Sequence, residues 1–148
     1  MYSLTVKSLM KRAKLIKAKP GITVRKAAVM MSKKNVGAIL LVEGDVLRGI
    51  LTERDLAFAI VAAGRDPETT LAGEVMTPQP ITIGPRETYG YALLVMQEHG
   101  FRHLPVVEDG KVVGIISARN ALDPELEEFA AEASRRVALR PQAATRPS

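Results

Sequence analysis

The chain has 148 residues, of which 47% are hydrophobic and 25% are charged, and its formal net charge at pH 7 is +5. This length accommodates one ordinary domain or two small, interlocked ones. The absence of cysteine excludes disulfides and thiolate chemistry, and two histidines, His99 and His103, are too few for a metal cluster, so we expect no metal site.

The N-terminal segment is basic and lacks the apolar core of a signal peptide. Its charged residues are Lys7, Lys11, Arg12, Lys14, Lys17 and Lys19. We interpret this run as a solvated surface segment, and the alternative is attraction of an anionic partner, either a nucleotide or nucleic acid. No apolar run approaches the roughly 20 residues that cross a bilayer. We therefore expect a cytoplasmic protein without membrane contacts.

The next segment changes from helical to strand periodicity. Thr23 is positioned to cap a helix whose apolar residues recur at the spacing of one turn, namely Val24, Ala27, Ala28 and Met31. The continuous apolar run at residues 37–42 predicts a buried strand, and a turn at residues 43–45 leads to a partner strand at residues 46–51. A second helix is predicted to begin at Thr52.

The same order of elements recurs at a constant offset of 65 residues, as from Pro20 to Pro85. The other matched pairs include Thr23 with Thr88, Ala27 with Ala92, Met31 with Met96, Val42 with Val107, Gly49 with Gly114, and Arg54 with Arg119. Upstream, Met10 matches Met76 at an offset of 66. This self-similarity indicates one supersecondary unit used twice. Because the connection at residues 64–73 is too short for a flexible tether, we expect the units to pack directly together.

The C-terminal residues predict one further helix and a tail. Asp123 and Pro124 are typical of a helix start, and acidic residues followed by arginines agree with the helix dipole. An apolar stripe on this helix could pack on its own module or contact a second subunit. Residues 141–148, which are rich in Pro, Ala and small polar residues, are expected to be disordered.

One seven-residue stretch occurs twice, at residues 49–55 (GILTERD) and 114–120 (GIISARN). Each copy joins a strand to a predicted helix start, where unpaired backbone N–H groups and the helix dipole favour a phosphate group. Alternatively, Thr52 and Asp55 form a capping box that satisfies these N–H groups without any ligand. Recurrence at the same place in both units supports a ligand, but the residues alone leave both interpretations open.

The paired units, the methionines that precede them and the segment at residues 102–107 (RHLPVV) resemble a tandem pair of cystathionine-beta-synthase (CBS) domains, called a Bateman module. The resemblance implies an α/β fold in which two CBS-domain repeats, each with a helix-strand-strand-helix core, pack as a pseudo-two-fold module with two clefts between them. On this basis the predicted domains are CBS domain 1 at residues 1–68, CBS domain 2 at 69–124, a C-terminal amphipathic helix at 125–140 and the tail at 141–148.

The resemblance also implies that adenosine-containing ligands such as AMP, ADP, ATP or S-adenosylmethionine occupy one or both clefts. By position, Thr52 and Ser117 resemble residues that contact phosphate, and Asp55 resembles the carboxylate that accepts hydrogen bonds from the ribose hydroxyls. Asn120 departs from this pattern because its amide has one acceptor oxygen and no charge, so we expect its cleft to hold ribose less strongly or to be empty. The remaining candidate binding residues are Arg54 and Arg119 near phosphate, and Gly37, Ala38, Arg102 and His103 near the adenine edge.

These observations predict a non-enzymatic regulatory or energy-sensing module that binds an adenine nucleotide, with no required cofactor. Occupation would tighten the two repeats or a homodimer of the chain, and a downstream protein of unknown identity would respond. No catalytic residues are assigned, because the acidic pair Glu53 and Asp55 has no accompanying nucleophile, orienting histidine or metal constellation.

Two rival functions belong to other classes. The first is a ligand-independent dimeric protein-interaction scaffold. The second is nucleic-acid binding through the basic N-terminal third, which we do not expect because aromatic stacking platforms and a helix-turn-helix signal are missing from the sequence.

Overall fold

The structure is a computed structural model that describes residues 4–119 and residue 135. The elements of the first half are α1 (Val6–Met10), β1 (Lys17–Ala18), α2 (Val24–Lys34), β2 (Ala38–Glu43), β3 (Val46–Thr52) and α3 (Glu53–Asp55), which continues as a π-helix (Leu56–Val61). Those of the second half are α4 (Ala72–Val75), β4 (Thr77–Pro78), α5 (Tyr89–His99), β5 (His103–Glu108) and β6 (Lys111–Ser117).

The two long helices begin and end in equivalent ways. Thr23 caps α2 by accepting a hydrogen bond from the Lys26 N–H at 3.1 Å, and Thr88 caps α5 through the Tyr91 N–H at 3.2 Å. These caps confirm the predicted starts of both helices. At the other end, Asn35 and Gly100 adopt left-handed backbone conformations, with φ of 54° and 71°, which stop the helices before the hairpins.

The two β-hairpins confirm the repeat at the level of register. In the first hairpin, β2 pairs antiparallel with β3, and the register shifts between Leu41 and Val42. In the second, β5 pairs antiparallel with β6, and the shift lies between Val106 and Val107, the positions 65 residues later. β1 runs parallel to β2, and an isolated parallel bridge from Ile83 to Val106 takes the equivalent place beside β5.

The segments that lead into each repeat are exchanged between the repeats. In α1, the Val6 N–H donates to the Glu87 carbonyl at 2.9 Å, and Val6 and Leu9 are buried in the core of the second repeat beneath α5. In α4, the Ala72 N–H donates to the Ile22 carbonyl at 2.8 Å, and Ala72 is buried in the core of the first repeat. The repeats are therefore interlocked, as the short connection predicted, and the proposed boundary at residues 68/69 stays a prediction about sequence order.

A third apolar cluster joins the two hairpins and fixes how they face each other. It contains Ala38, Leu40, Val42, Ile50, Val112 and Ile115. The Val112 N–H also donates to the Asp45 carbonyl at 3.0 Å across this boundary. Because the cluster is shared, the ends of β3 and β6 are held at one interface, and a cleft opens on either side of it.

Parts of the predicted C-terminal organisation lie outside the described residues. These are Asn120, the helix at 125–140 apart from Arg135, which is helical, and the tail at 141–148. Within the described range, the helix that follows Thr52 buries Ile60 but leaves Val61 78% exposed, so the predicted inward position of Val61 is wrong. Val61 is the last residue of the π-helix and faces away from the core of this single chain.

Candidate functional site

Two clefts lie between the repeats and are related by the same 65-residue offset. The first, which we call the Thr52 cleft, has a volume of about 890 Å³. Its lining from the first repeat includes Thr52, Glu53, Arg54, Asp55 and Phe58, and from the second repeat His99, Gly100, Phe101, Arg102 and His103. Thr77, Pro80 and Ile81 close it. The structure thus brings five predicted site residues together here: Thr52, Arg54, Asp55, Arg102 and His103.

The second, which we call the Ser117 cleft, has a volume of about 440 Å³. The predicted site residues that line it are Gly37, Ala38, Arg102, His103, Ser117 and Arg119. Each cleft therefore combines the strand end of one repeat with the residues before the first hairpin strand of the other. Arg102, His103 and Glu53 line both clefts, since they lie near the pseudo-two-fold axis.

Thr52 and Asp55 form the capping box that was one of the two interpretations of the sequence. The Asp55 N–H donates to Thr52 Oγ1 at 3.2 Å, and Asp55 Oδ2 accepts from the Thr52 N–H at 2.9 Å and from Thr52 Oγ1 at 3.1 Å. The Glu53 N–H donates to the Gly37 carbonyl at 3.0 Å. At most the Arg54 N–H of this first turn is then open to a ligand, so the side chains carry most of the recognition.

The second helix start is anchored in the same way. The Ala118 N–H donates to the Arg102 carbonyl at 2.8 Å, which is the counterpart of the bond from Glu53 to Gly37. Gly37 is needed where it stands, because a Cβ there would lie 3.0 Å from Glu53 Oε1 and 3.4 Å from His103 Cε1. The centre of the module is therefore tightly packed around Glu53 and His103.

The sequence model of the CBS domain matches residues 6–62 and 72–124. The chain belongs to the CBS-domain family. The chain is 40% identical over 98 residues to the CBS domain-containing protein YhcV of Bacillus subtilis, a match that covers 66% of this chain and 69% of YhcV. It is 38% identical over 119 residues to the CBS domain-containing protein CBSCBSPB2 of Arabidopsis thaliana, which covers 80% of this chain but only 22% of that protein.

Solved structures agree with the CBS fold. The CBS domain protein PAE2072 from Pyrobaculum aerophilum, complexed with AMP, is 26% identical and superposes with a TM-score of 0.75 over 86% of this chain and 99% of that one. The predicted fold class, two CBS repeats in a mixed helix and strand module, is thus confirmed. Tandem CBS pairs of this kind are regulatory modules.

Two chemical features can be stated only for the described part of the CBS pair. Across residues 4–119 and 135, no helix is both long and apolar enough to cross a membrane. Over the same residues, no three His, Asp or Glu side chains come together in a way that could hold a metal ion.

Sequence reasoning missed several residues of the clefts. Arg12 and Lys14, interpreted as part of a solvated surface run, line the Ser117 cleft. Phe58 and Phe101 line the Thr52 cleft, where the Arg54 guanidinium lies 4.6 Å from the centre of the Phe58 ring. The 66-residue match of Met10 with Met76 could have found Lys14, because it places Lys14 opposite Pro80 of the other cleft.

His103 carries the one pKa shift that the described residues show. Burial lowers the pKa of His103 below its ordinary 6.5, the charge of Glu53 raises it, and Arg102 lowers it. The folded CBS pair therefore binds fewer protons at His103 than the unfolded chain does. The stability that this contributes is complete above pH 6.5 and is lost as the pH falls from 6.5 through the folded pKa.

We expect this shift to be visible in urea unfolding at pH 7.5 and at pH 5.5. Wild-type protein should lose more unfolding free energy on acidification than His103→Gln, because glutamine removes the titrating ring. Equal losses in the two proteins would contradict the assignment. Proton NMR of the His103 ring supplies the direct check, since its midpoint should lie below 6.5.

Proposed function

We propose that this tandem CBS pair is a regulatory module that binds an adenine nucleotide, in the first instance AMP, in the Thr52 cleft. The observation that supports the proposal is the combination of a carboxylate, two guanidinium groups and two aromatic rings in one cleft of about 890 Å³. Small-molecule sites commonly have volumes of about 300–1,000 Å³ and pair apolar walls with few polar groups. The AMP complex of the Pyrobaculum aerophilum relative is a further support.

Asp55 can serve the cap and a ribose at the same time. Both hydrogen bonds of the cap fall on Oδ2. Among the residues that the structure describes, no donor is recorded at Oδ1. A carboxylate offers about four acceptor positions on its two oxygens, so the ribose hydroxyls can donate to it without breaking the cap. The capping box and the ligand site are therefore compatible uses of one side chain.

The other lining groups fit the base and the phosphate. Phe58 is 62% exposed and Phe101 is 38% exposed, so both present apolar surface to a purine. Arg54 and Arg102 offer charge-assisted hydrogen bonds to a phosphate. Since the walls come from different repeats, a bound nucleotide bridges them and favours the arrangement in which both walls contact it. This differential contact is what a regulatory ligand requires.

The proposal includes a homodimer and no catalytic residues. Four exposed apolar side chains lie on the outer helices, namely Phe58, Val61, Tyr91 and Leu94. Burying them against a second copy would remove apolar surface from water, and a nucleotide that tightens the repeats would then act on the dimer. A downstream protein would respond to that change, and its identity is open.

Thermal unfolding separates this function from a ligand-independent scaffold. At 100 times its dissociation constant, AMP should stabilise the protein by about 2.7 kcal/mol. ADP, ATP and S-adenosylmethionine complete the panel, and GMP is the control for base recognition. Absence of both a thermal shift and a calorimetric signal with every adenine ligand would refute the nucleotide proposal and favour the scaffold.

A further inference from the structure

The two clefts of this chain differ in charge although they are built from equivalent segments. The Ser117 cleft is lined by four cationic side chains, Arg12, Lys14, Arg102 and Arg119, against the single carboxylate of Glu53. In the Thr52 cleft two cationic side chains, Arg54 and Arg102, face two carboxylates, Glu53 and Asp55. One cleft is therefore strongly positive, whereas the other is balanced.

The positive charge of the Ser117 cleft is not compensated by the described protein. Within residues 4–119 and 135, Lys14, Arg102 and Arg119 form no ion pair. Lys14 Nζ donates to the Lys34 carbonyl at 3.2 Å, which holds the ammonium group at the rim and leaves two of its protons free to bond elsewhere. Cations that converge on one concave surface repel each other and focus a positive potential, so an anion that neutralises them binds favourably.

The remaining lining favours phosphate groups over a nucleoside. The apolar wall consists of small or aliphatic residues, among them Ala13, Val36 and Ala38, and contains no aromatic ring. The sequence places an amide, Asn120, where the Thr52 cleft has the Asp55 carboxylate. A phosphate in the Ser117 cleft would therefore meet one negative side chain fewer than in the Thr52 cleft.

We propose that the Ser117 cleft binds a polyphosphate group, whereas the Thr52 cleft takes a nucleoside monophosphate. A monophosphate can neutralise about two of the four cations, whereas a triphosphate carries enough charge for all of them. This replaces the expectation that the Asn120 side of the module is weak or empty. The inference deepens the proposed function where the polyphosphate belongs to a nucleotide, but the anion site itself does not depend on AMP binding at Asp55.

The test measures binding of inorganic tripolyphosphate, ATP and AMP to the full chain by calorimetry at 50 and 200 mM salt. The tested variant is Lys14→Ala combined with Arg119→Ala. The control is Lys26→Ala combined with Lys33→Ala, which removes the same charge from exposed positions of α2 outside both clefts. We expect tripolyphosphate to bind wild type and the control, to weaken by about tenfold or more in the tested variant, and to weaken with salt.

The outcomes distinguish the source of the phosphates and the two proposals. If ATP binds more tightly than tripolyphosphate and loses affinity in the same variant, the site takes a nucleoside triphosphate; equal affinities assign it to the polyphosphate alone. Loss of AMP binding in Asp55→Asn with unchanged tripolyphosphate binding separates the two clefts. The inference is overturned if tripolyphosphate does not bind, or if the tested and control variants weaken it equally.

Discussion

Asp55→Asn is expected to weaken AMP binding by about tenfold to a hundredfold while leaving the fold and its stability nearly intact. Loss of a hydrogen bond to a charged group costs about 1.5–3 kcal/mol, and about 1.4 kcal/mol is tenfold in affinity. Asparagine keeps one acceptor oxygen, which can still accept the Thr52 N–H bond now made by Asp55 Oδ2 at 2.9 Å. The carboxylate proposed to accept the ribose hydroxyls is lost. Calorimetry for affinity and urea unfolding for stability measure the two effects separately.

Glu53→Gln is the matched control for charge. It also converts a carboxylate of the Thr52 cleft into an amide, but Glu53 lies at the centre of the module and lines both clefts. Removing its charge should leave AMP affinity unchanged or raise it slightly, because a negative neighbour of the phosphate disappears. If Asp55→Asn binds AMP as tightly as wild type does, the ribose assignment is wrong. If both variants weaken AMP equally, the effect reports general electrostatics and not ribose recognition.

The fold was predictable because the repeat carries its own local signals. Thr23 and Thr88 cap their helices as expected, and the two hairpins shift register at positions 65 residues apart. The exchange of α1 and α4 between the repeats was not predictable. The match of Met10 with Met76 shows that these segments are equivalent, but the repeat on which each one packs depends on tertiary contacts that no local pattern encodes.

The candidate site was predictable in its residue types more than in its grouping. Thr52, Arg54 and Asp55 do share a cleft with Arg102 and His103, as a site between repeats requires. The sequence could not decide between cap and ligand, since the answer depends on which oxygen of Asp55 each donor reaches. Nor could it separate cleft lysines from surface lysines, because a solvated helix face and the rim of a cleft have the same composition.

Gly49→Ala is expected to destabilise the protein by about 1–3 kcal/mol, the usual range for added volume in a packed interior. A Cβ at Gly49 would lie 2.9 Å from the Thr77 carbonyl oxygen and would also collide with the Met76 side chain. The backbone of β4 must therefore move away from β3, although Gly49 pairs with Pro78 and Ile50 with Thr77. Urea unfolding measures the loss.

Gly114→Ala, the equivalent change in the second repeat, is the matched control and should cost less. The nearest atoms to a Cβ at Gly114 are all in the Met10 side chain, with Sδ at 2.8 Å, and a flexible thioether can turn aside. Equal destabilisation in the two variants would show that the Thr77 backbone contact is not the cause. Because Thr77 and Ile50 also line the Thr52 cleft, Gly49→Ala should weaken AMP binding as well, whereas Gly114→Ala should leave it unchanged. The glycine that opens the first repeated stretch would then link the packing of α4 and β4 to the shape of the proposed nucleotide site.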